Sequence, residues 1–336
     1  MTGIDLAAVT RRDVVLASAA AAFAGQAATA STLNESSLGP LKRAPTAVLD
    51  IGYHELGPRH GPAVLLLHGF PYDVHSYSKA APMLAARGFR VLVPYLRGHG
   101  PTRFRDAGVP HSGQQAALGQ DLVDLMDALG IEHAVLAGYD WGGRAACVVT
   151  ALWPDRCVGL VSVNNYLIQD IARAHEPLPA SVERGFWYQF YFLTGRGRAG
   201  LMANRNEIAR IMWRENSPQW RFDDETFALS AAAFENPDYV DVVIHSYRHR
   251  LGAAPGLPEY AALEARLALL PTIKRPSVTL DGTADGVVPA TDGSASARFF
   301  SGPRVHRRVR GAGHNLPQET PDAFVSAVVD VARMGA

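Results

Sequence analysis

The chain has 336 residues, of which 48% are hydrophobic and 19% are charged. This composition predicts a folded globular protein and excludes an intrinsically disordered chain. The formal net charge at neutral pH is zero, so the charge balance does not favour nucleic acid or an anionic membrane as a partner. The chain has two cysteines, Cys147 and Cys157, which is too few for a disulfide framework or a zinc site. We expect both to be buried as small hydrophobes.

Residues 1–30 are predicted to be a twin-arginine signal peptide rather than part of the fold. Arg11 and Arg12 precede an apolar, alanine-rich run that ends in the small residues ATA at 28–30, which is the order of a secretory signal. The run is too short for a stable span of a bilayer about 30 Å thick, and no other segment is predicted to cross a membrane. We therefore expect export to the periplasm or the extracellular space. The alternative is a disordered extension on a cytoplasmic protein.

After a stretch predicted to be a loop, residues 31–45, strand and helix patterns alternate along the chain. The strand patterns are TAVLDIGYHELG, AVLLLHG, RVLVPY, HAVLAGY and VGLVSVN, and the helix patterns are YSKAAPMLAARG, SGQQAALGQDLVDLMDALG and GRAACVVTALW. Continuous apolar strands are typical of parallel strands that are buried on both faces. The alternation therefore predicts an α/β protein with a mostly parallel central sheet and flanking helices.

The alternation stops between residues 165 and 270, where the patterns are helical and are separated by proline and glycine. It resumes with the strand PSVTLDG, a helix near GSASARFF, the strand RVHRRVRG and a closing helix. We therefore predict a core formed by residues 46–164 and 271–336, with a helical cap at 165–270.

Three candidate catalytic side chains follow predicted strands. Asp140 lies in GYDWGGRAACVV, which has the strand–turn–helix pattern of a nucleophile elbow with aspartate at the usual serine position. Asp285 follows the next long strand and His314 follows the last one, which is the nucleophile–acid–histidine order of α/β-hydrolases. The carboxyl ends of parallel strands are where such sheets place their sites. Asp281 competes with Asp285 for the acid role, but it lies nearer the strand.

Four short motifs carry a resemblance to the α/β-hydrolases and, among them, to the epoxide hydrolases. They are HGFP at 68–71, YDWGG at 139–143, GTAD at 282–285, and GAGH followed by QETP at 311–321. The resemblance extends from about Thr46 to Met334. It implies an α/β-hydrolase fold with an inserted helical cap, a small-molecule substrate, and neither a cofactor nor a metal.

An aspartate instead of a serine at the elbow implies a different reaction. Asp140 is ionised at neutral pH and can attack a saturated carbon directly, giving an ester whose carbonyl belongs to the enzyme. His314, oriented by Asp285, would then activate the water that hydrolyses the ester. The backbone N–H groups of Phe70 and Trp141 are the expected oxyanion donors.

In the epoxide hydrolases the cap supplies two tyrosines that hold the epoxide oxygen. Tyr188, in a Tyr-Gln pair, and Tyr247, before an arginine, match them here. Tyr191, Tyr239 and Tyr260 are alternatives for the second position. The structural alternative is that both matched tyrosines are ordinary aromatic core of amphipathic helices, with their hydroxyls at the surface.

Two other functions remain open from the sequence. In a hydrolytic dehalogenase Trp141 would donate to a halide, although haloalkane dehalogenases usually carry Asn where this chain has Phe70. Fluoroacetate dehalogenases bind the substrate carboxylate at a position that Arg144 matches, but we expect Arg144 to be solvated or salt-bridged. A non-catalytic ligand-binding protein of the same fold is the alternative from another class. The sequence pattern determines neither the particular epoxide nor the oligomeric state.

Overall fold

The computed structural model of the protein describes residues 37–335. The predicted signal peptide at residues 1–30 lies outside the described residues. None of the helices between residues 37 and 335 has the length and apolar character that a bilayer crossing needs.

One sheet of nine strands forms the centre of the fold, in the order β1-β2-β4-β3-β6-β7-β8-β9, with β5 paired to β2. The strands from β4 to β9 in this order are parallel, whereas β1, β2 and β5 form antiparallel pairs. The strand bounds are β1 Leu41–Pro45, β2 Leu49–Leu56, β3 Ala63–Leu67, β4 Arg90–Pro94, β5 Arg103–Phe104, β6 Ala134–Gly138, β7 Cys157–Val163, β8 Ser277–Gly282 and β9 Arg304–Val309.

The buried parallel strands confirm the prediction from continuous apolar runs. All five residues of β6 and all six of β8 are buried, as expected when helices cover both faces of a parallel sheet. The prediction of a loop at 31–45 is wrong for β1, which pairs with β2. Four of its five residues are exposed, so this edge strand lacks the apolar pattern that marks a strand in sequence.

Helices flank the sheet and also fill the long interval between β7 and β8. The flanking helices are α1 Ala80–Ala85, α2 Gln115–Ala128, α3 Asp140–Leu152, α10 Leu316–Glu319 and α11 Pro321–Gly335. Those between β7 and β8 are α4 Ala180–Glu183, α5 Trp187–Leu193, α6 Gly195–Asn216, α7 Asp224–Ala231, α8 Tyr239–Arg250 and α9 Ala261–Ala268. The helix predicted near GSASARFF is only a single turn, Ala297–Phe299.

The predicted α/β-hydrolase architecture, a mostly parallel sheet with flanking helices, is thus confirmed. No strand is present among the described residues between 165 and 270, in agreement with the helical patterns there. The bounds of a separate cap at 165–270 stay a prediction, and we use the word cap for these helices below.

Candidate active site

Asp140 lies at a sharp turn between β6 and α3. Its φ of 49° is in the left-handed region, which a side chain other than glycine occupies only where the surrounding structure enforces it. The turn also requires close backbone approach, because a Cβ atom on Gly142 would lie 2.1 Å from the carbonyl oxygen of Leu67. This geometry is that of a nucleophile elbow, and it lifts the Asp140 side chain above the sheet.

The carboxylate of Asp140 is held at one oxygen and faces a histidine with the other. The backbone N–H of Phe70 donates to Oδ1 at 2.8 Å, and Nε2 of His314 lies 3.8 Å from Oδ2. Burial alone would raise the pKa of Asp140, but the hydrogen bond and charge of His314 and the Phe70 N–H outweigh it and lower the pKa. Asp140 is therefore an anion at neutral pH, and 15% of its side chain remains exposed.

His314 connects Asp140 to a second carboxylate. Its Nδ1 lies 2.9 Å from Oδ2 of Asp285. Burial would lower the pKa of His314, but the negative charges of Asp285 and Asp140 raise it to about 10. The imidazole is consequently protonated while Asp140 is ionised. Oδ1 of Asp285 accepts from the backbone N–H groups of Val287 and Val288 at 2.8 and 2.9 Å, which fixes the carboxylate toward the imidazole.

Asp281, the competing acid, is occupied elsewhere. Its Oδ1 accepts from the side chain of Asn165 at 2.7 Å. Its Oδ2 accepts from both the backbone N–H and the hydroxyl of Thr291 at 2.8 and 2.9 Å. These bonds tie β8 to the following loop, so Asp285 and not Asp281 contacts His314.

The C-terminal end of α6 anchors the catalytic loops, a feature that the sequence analysis missed. The carbonyl oxygen of Asn216 accepts from the backbone N–H groups of both Gly286 and His314, at 2.9 and 3.2 Å. The indole N–H of Trp213 donates to the carbonyl of Pro71 at 2.7 Å. One helix end therefore holds the loop that carries Phe70, the loop that carries Asp285 and the loop that carries His314.

Glu319, within the QETP motif, supports the histidine loop. One of its oxygens accepts from the N–H of Gly313 at 2.7 Å, and the other accepts from the Ser217 hydroxyl at 2.6 Å. Ser217 in turn accepts from the N–H of His314 at 3.1 Å. The motif was visible in the sequence, but its partner Ser217 lies about 100 residues away, so local pattern could not assign the contact.

Tyr188 on α5 and Tyr247 on α8 meet above the elbow. Both are buried, and their ring centroids are 5.3 Å apart with the rings nearly perpendicular. The Trp141 indole N–H donates to the Tyr247 hydroxyl at 3.2 Å, and the Gln189 amide N–H donates to the Tyr188 hydroxyl at 3.5 Å. The structural alternative, in which both hydroxyls lie at the surface, is wrong, because both side chains are buried.

Both phenols are neutral donors within the electrostatic reach of Asp140. Burial, followed by the negative charge of Asp140, raises the pKa of Tyr188 to about 12. Burial, then Tyr188 and Asp140, raises the pKa of Tyr247 well above its ordinary value. Each phenol oxygen accepts an N–H bond, and the Tyr247 hydroxyl also interacts with that of Tyr188. Both phenols keep their protons and are O–H donors.

The alternative tyrosines have other surroundings. Tyr239 is buried against Phe70 and His99, and its hydroxyl has no partner among the described residues. Burial raises the pKa of Tyr260, which the charge of Arg97 then lowers in part. Tyr191 is half-buried and packs on Trp187 and Phe192. None of the three shares the contact that Tyr247 makes with Trp141.

Phe70 and Trp141 form the aromatic floor of this region. Their rings stack with centroids 5.4 Å apart, and the Phe70 ring also contacts Tyr247 at 5.4 Å. The Phe70 N–H bond to Asp140 agrees with its expected part in an oxyanion hole. The corresponding role of the Trp141 backbone N–H stays a prediction.

Arg144 differs from its expected surroundings. The prediction of a solvated or salt-bridged side chain is wrong, because Arg144 is buried and its polar contact is the Gln115 amide oxygen at 3.4 Å. Cys147 and Cys157 are buried and free, as expected for small hydrophobes. Between residues 37 and 335, no group of three or more His, Cys, Asp or Glu side chains is arranged to hold a metal ion.

Comparison with known proteins agrees with this geometry. The profile of a family described as the α/β hydrolase fold matches residues 62–320. The chain is 28% identical over 302 residues to epoxide hydrolase A of Mycobacterium tuberculosis, covering 82% of this chain and 92% of that protein. It is also 28% identical over 268 residues to an epoxide hydrolase of Caballeronia sordidicola, covering 74% and 80%.

A solved structure from Klebsiella pneumoniae, described provisionally as an epoxide hydrolase, extends the comparison to three dimensions. It is 48% identical to this chain, with a TM-score of 0.87, and the match covers 89% of this chain and 99% of that one. The family profile and these matches lead to one conclusion. The chain belongs to the α/β-hydrolase fold family, as a hydrolase that resembles the epoxide hydrolases.

Proposed function

We propose that the protein adds water to a small or medium-sized organic epoxide and releases a vicinal diol. The observation that carries this proposal is the pair of buried phenols, Tyr188 and Tyr247, whose oxygens accept N–H bonds and which stay neutral O–H donors because burial raises the pKa of both. An epoxide oxygen that develops negative charge needs donors of this kind. The names of the relatives point to the same substrate class.

The first step is alkylation of Asp140. Its Oδ2 atom attacks one epoxide carbon, the bond from that carbon to the epoxide oxygen breaks, and the oxygen leaves as an alkoxide that takes a proton from a cap tyrosine. Oδ1 becomes the carbonyl oxygen of the new ester while it accepts from the Phe70 N–H. The donors at the epoxide oxygen and at Oδ1 are in place before the reaction. They lower the barrier because they need no rearrangement as negative charge moves from the carboxylate to the epoxide oxygen.

The second step is hydrolysis of that ester. Formation of the ester removes the negative charge of Asp140, one of the two charges that hold the pKa of His314 high. The pKa of the imidazole therefore falls, and His314 gives up its proton, which through solvent replaces the proton that the cap tyrosine lost. The neutral imidazole can then act as a base. Water then attacks the ester carbonyl, and one of its protons passes to His314. The bond from the carbonyl carbon to the former Oδ2 atom breaks, that oxygen takes the second proton of the water and leaves as part of the diol, and Asp140 returns to a carboxylate. Asp285 stabilises the imidazolium that forms.

The site favours an epoxide over a halide as the leaving group. In a dehalogenase the Trp141 indole N–H would be directed at the halide, but here it donates to Tyr247. A halide needs no proton, so two buried phenols would have no part in its departure. The dehalogenase nevertheless uses the same nucleophile and remains the second outcome of the test below.

One assay separates the candidate functions. The protein is incubated in parallel with styrene oxide and with a haloacetate, and diol and free halide are measured. Diol without halide is the expected result. Halide without diol would replace the proposal with a hydrolytic dehalogenase, and neither product with either substrate class would leave a ligand-binding protein. The Asp140→Asn variant is the matched control, since a neutral amide is a poor nucleophile.

A further inference from the structure

Asp73 is a buried carboxylate in the segment between β3 and α1, three residues after Phe70. Its side chain caps a single helical turn, Val74–Tyr77, by accepting from the backbone N–H of His75 at 3.0 Å. Aspartate is rarely buried completely unless it is paired, yet Asp73 has no exposed surface. It has two further partners, so capping alone does not account for its burial.

One of these partners belongs to the cap. The hydroxyl of Ser230, a buried residue of α7, donates to Oδ1 of Asp73 at 2.6 Å. A hydrogen bond to an ionised carboxylate is roughly twice as strong as one between neutral groups. The two residues are 157 positions apart in the chain, so this bond joins the segment after β3 to α7.

The other partner of Asp73 is a cation. Nδ1 of His75 lies 2.7 Å from Oδ2 of Asp73. Burial would raise the pKa of Asp73, but the charge and hydrogen bond of His75 and the bond from Ser230 outweigh it and lower the pKa. Burial would lower the pKa of His75, and the charge of Asp73 raises it instead. Asp73 is therefore a buried anion whose charge strengthens the bond from Ser230.

The segment that Asp73 anchors carries the N–H donor to the nucleophile. Phe70 donates to Oδ1 of Asp140 at 2.8 Å, within a tight turn that the backbone N–H of Tyr72 closes by donating to the carbonyl of Gly69 at 3.1 Å. A Cβ atom on Gly69 would lie 2.7 Å from Cβ of Asp140. The turn thus contacts the nucleophile at one end and is held by Asp73 at the other. A shift of Asp73 would redirect the Phe70 N–H.

We propose that Asp73 and Ser230 are positioning residues that keep the Phe70 N–H directed at the carbonyl oxygen of the alkyl ester. This inference rests on the proposed epoxide hydrolysis. Before the reaction the N–H stabilises the Asp140 carboxylate, and that charge disappears as the ester forms. During hydrolysis negative charge returns to Oδ1 in the tetrahedral intermediate, where a directed donor lowers the barrier. Loss of the Asp73–Ser230 bond should therefore slow hydrolysis and spare alkylation.

The first experiment follows the ester in a single turnover. Styrene oxide is mixed with excess protein, and intact-mass analysis of quenched samples gives the rate constants for adduct formation and adduct loss. We expect Ser230→Ala to slow adduct loss by about 5- to 50-fold, less than the roughly 10²–10³ typical for removal of an oxyanion donor, and to change adduct formation by less than about twofold. Asp73→Asn, which keeps an acceptor but removes the charge, should show the same split.

Ser78→Ala is the matched control. Its hydroxyl donates to the backbone carbonyl of His75 at 2.9 Å, so this variant removes a hydroxyl from the same segment while the Asp73–Ser230 bond stays. It should keep both rate constants. The losses in Ser230→Ala and Asp73→Asn should not multiply in the double variant, because both act on one bond. Equal slowing of both steps by Ser230→Ala, or parent rates for both steps in the two variants, would overturn the proposal.

The second experiment needs no reaction. Hydrogen exchange of the Phe70 amide should be about 10-fold faster in Ser230→Ala than in the parent or in Ser78→Ala, because a less firmly held N–H opens to water more often. Faster exchange without an adduct in any of the proteins, including His314→Gln, would retain the positioning of Phe70 and reject the ester reaction. Diol and adduct with unchanged exchange would retain the reaction and reject the positioning role.

Discussion

The Nε2 atom of His314 lies 3.8 Å from Oδ2 of Asp140, close enough for the imidazolium and the carboxylate to stabilise each other. In the resting protein each of these two charges shifts the pKa of the other group. The pKa of Asp140 is lowered and that of His314 is raised. An ester at Asp140 would end this pairing. His314, which pairs with Asp140 before the ester forms, would thereby become the base for the next step.

The covalent step can be observed directly. Asp140→Asn should form no adduct with an epoxide, whereas His314→Gln should accumulate an adduct, because hydrolysis alone requires the base. Intact-mass measurement after mixing would show a mass increase equal to that of the epoxide in the His314 variant. Absence of that increase would reject a two-step reaction through Asp140.

Isotope labelling gives an independent check of the same step. In a single turnover in H₂¹⁸O the diol should carry no label, because its new oxygen comes from Oδ2 of Asp140, and the label should appear in the protein. Peptide mass analysis would locate it at Asp140. Label in the diol of the first turnover would mean that water attacks the epoxide directly.

Removal of the cap hydroxyls should slow ring opening. Phenylalanine at position 188 or 247 keeps the ring packing and removes one donor, and loss of one such donor typically costs about 10²–10³ in rate. The remaining tyrosine should soften the single losses, and the double variant should be nearly inactive toward epoxides. Stopped reactions analysed for adduct would give the alkylation rate.

Tyr191→Phe provides the control, since Tyr191 is on the same helix as Tyr188 but is half-buried and away from the pair. It should keep the parent rate. Epoxide opening at the parent rate by the double variant would contradict the assignment of both tyrosines.

The free energy of unfolding should fall as pH rises, because of His314. Its pKa is about 10 in the folded protein and 6.5 in its ordinary state, so the folded state binds the proton more tightly. The stabilising contribution is full below pH 6.5 and is lost as pH rises through about 10. Urea unfolding between pH 6 and 10 should give a falling free energy of unfolding, with a shallower fall in His314→Gln. Identical slopes for the two proteins would show that His314 is not charged in the folded state.

We propose that the protein is exported and that its mature chain begins near Ser31. N-terminal sequencing of protein from the native host should find this start outside the cytoplasm. Replacement of Arg11 and Arg12 by lysine removes the pair but keeps the charge, and it should retain the protein in the cytoplasm if the export signal is of the twin-arginine type. Recovery of the wild-type chain from the cytoplasm with Met1 or Thr2 intact would contradict export.

The sequence predicted those parts of the site that depend on local pattern. Asp140 follows a buried strand within a glycine-rich turn, so both its position and its conformation are evident from neighbouring residues. Asp285 and His314 follow strands of the same sheet, and parallel order brings strand ends together. The sequence also favoured Asp285 over Asp281, because Asp281 lies nearer the strand, whereas the bonds that hold Asp281 to Asn165 and Thr291 were seen only in the structure.

Other features depend on residues that are distant in sequence. Arg144 contacts the side chain of Gln115 on α2, and the α3 pattern carries no signal of that contact. Strand β1 forms because β2 offers an edge for pairing, although four of its five residues are exposed. The hydrophobic periodicity of a segment depends on that segment alone, so it does not predict contacts that several segments form together.

The end of α6 limits how this enzyme could be re-engineered. Asn216 and Trp213 form hydrogen bonds to backbone groups of three loops that carry proposed catalytic residues. The cap therefore helps to position these residues. A chimaera that imported a whole foreign cap would lose these bonds and misalign the loops even if the new cap brought its own tyrosines. Substrate range is better varied by exchanging α5 or α8 alone, with the last turn of α6 left in place.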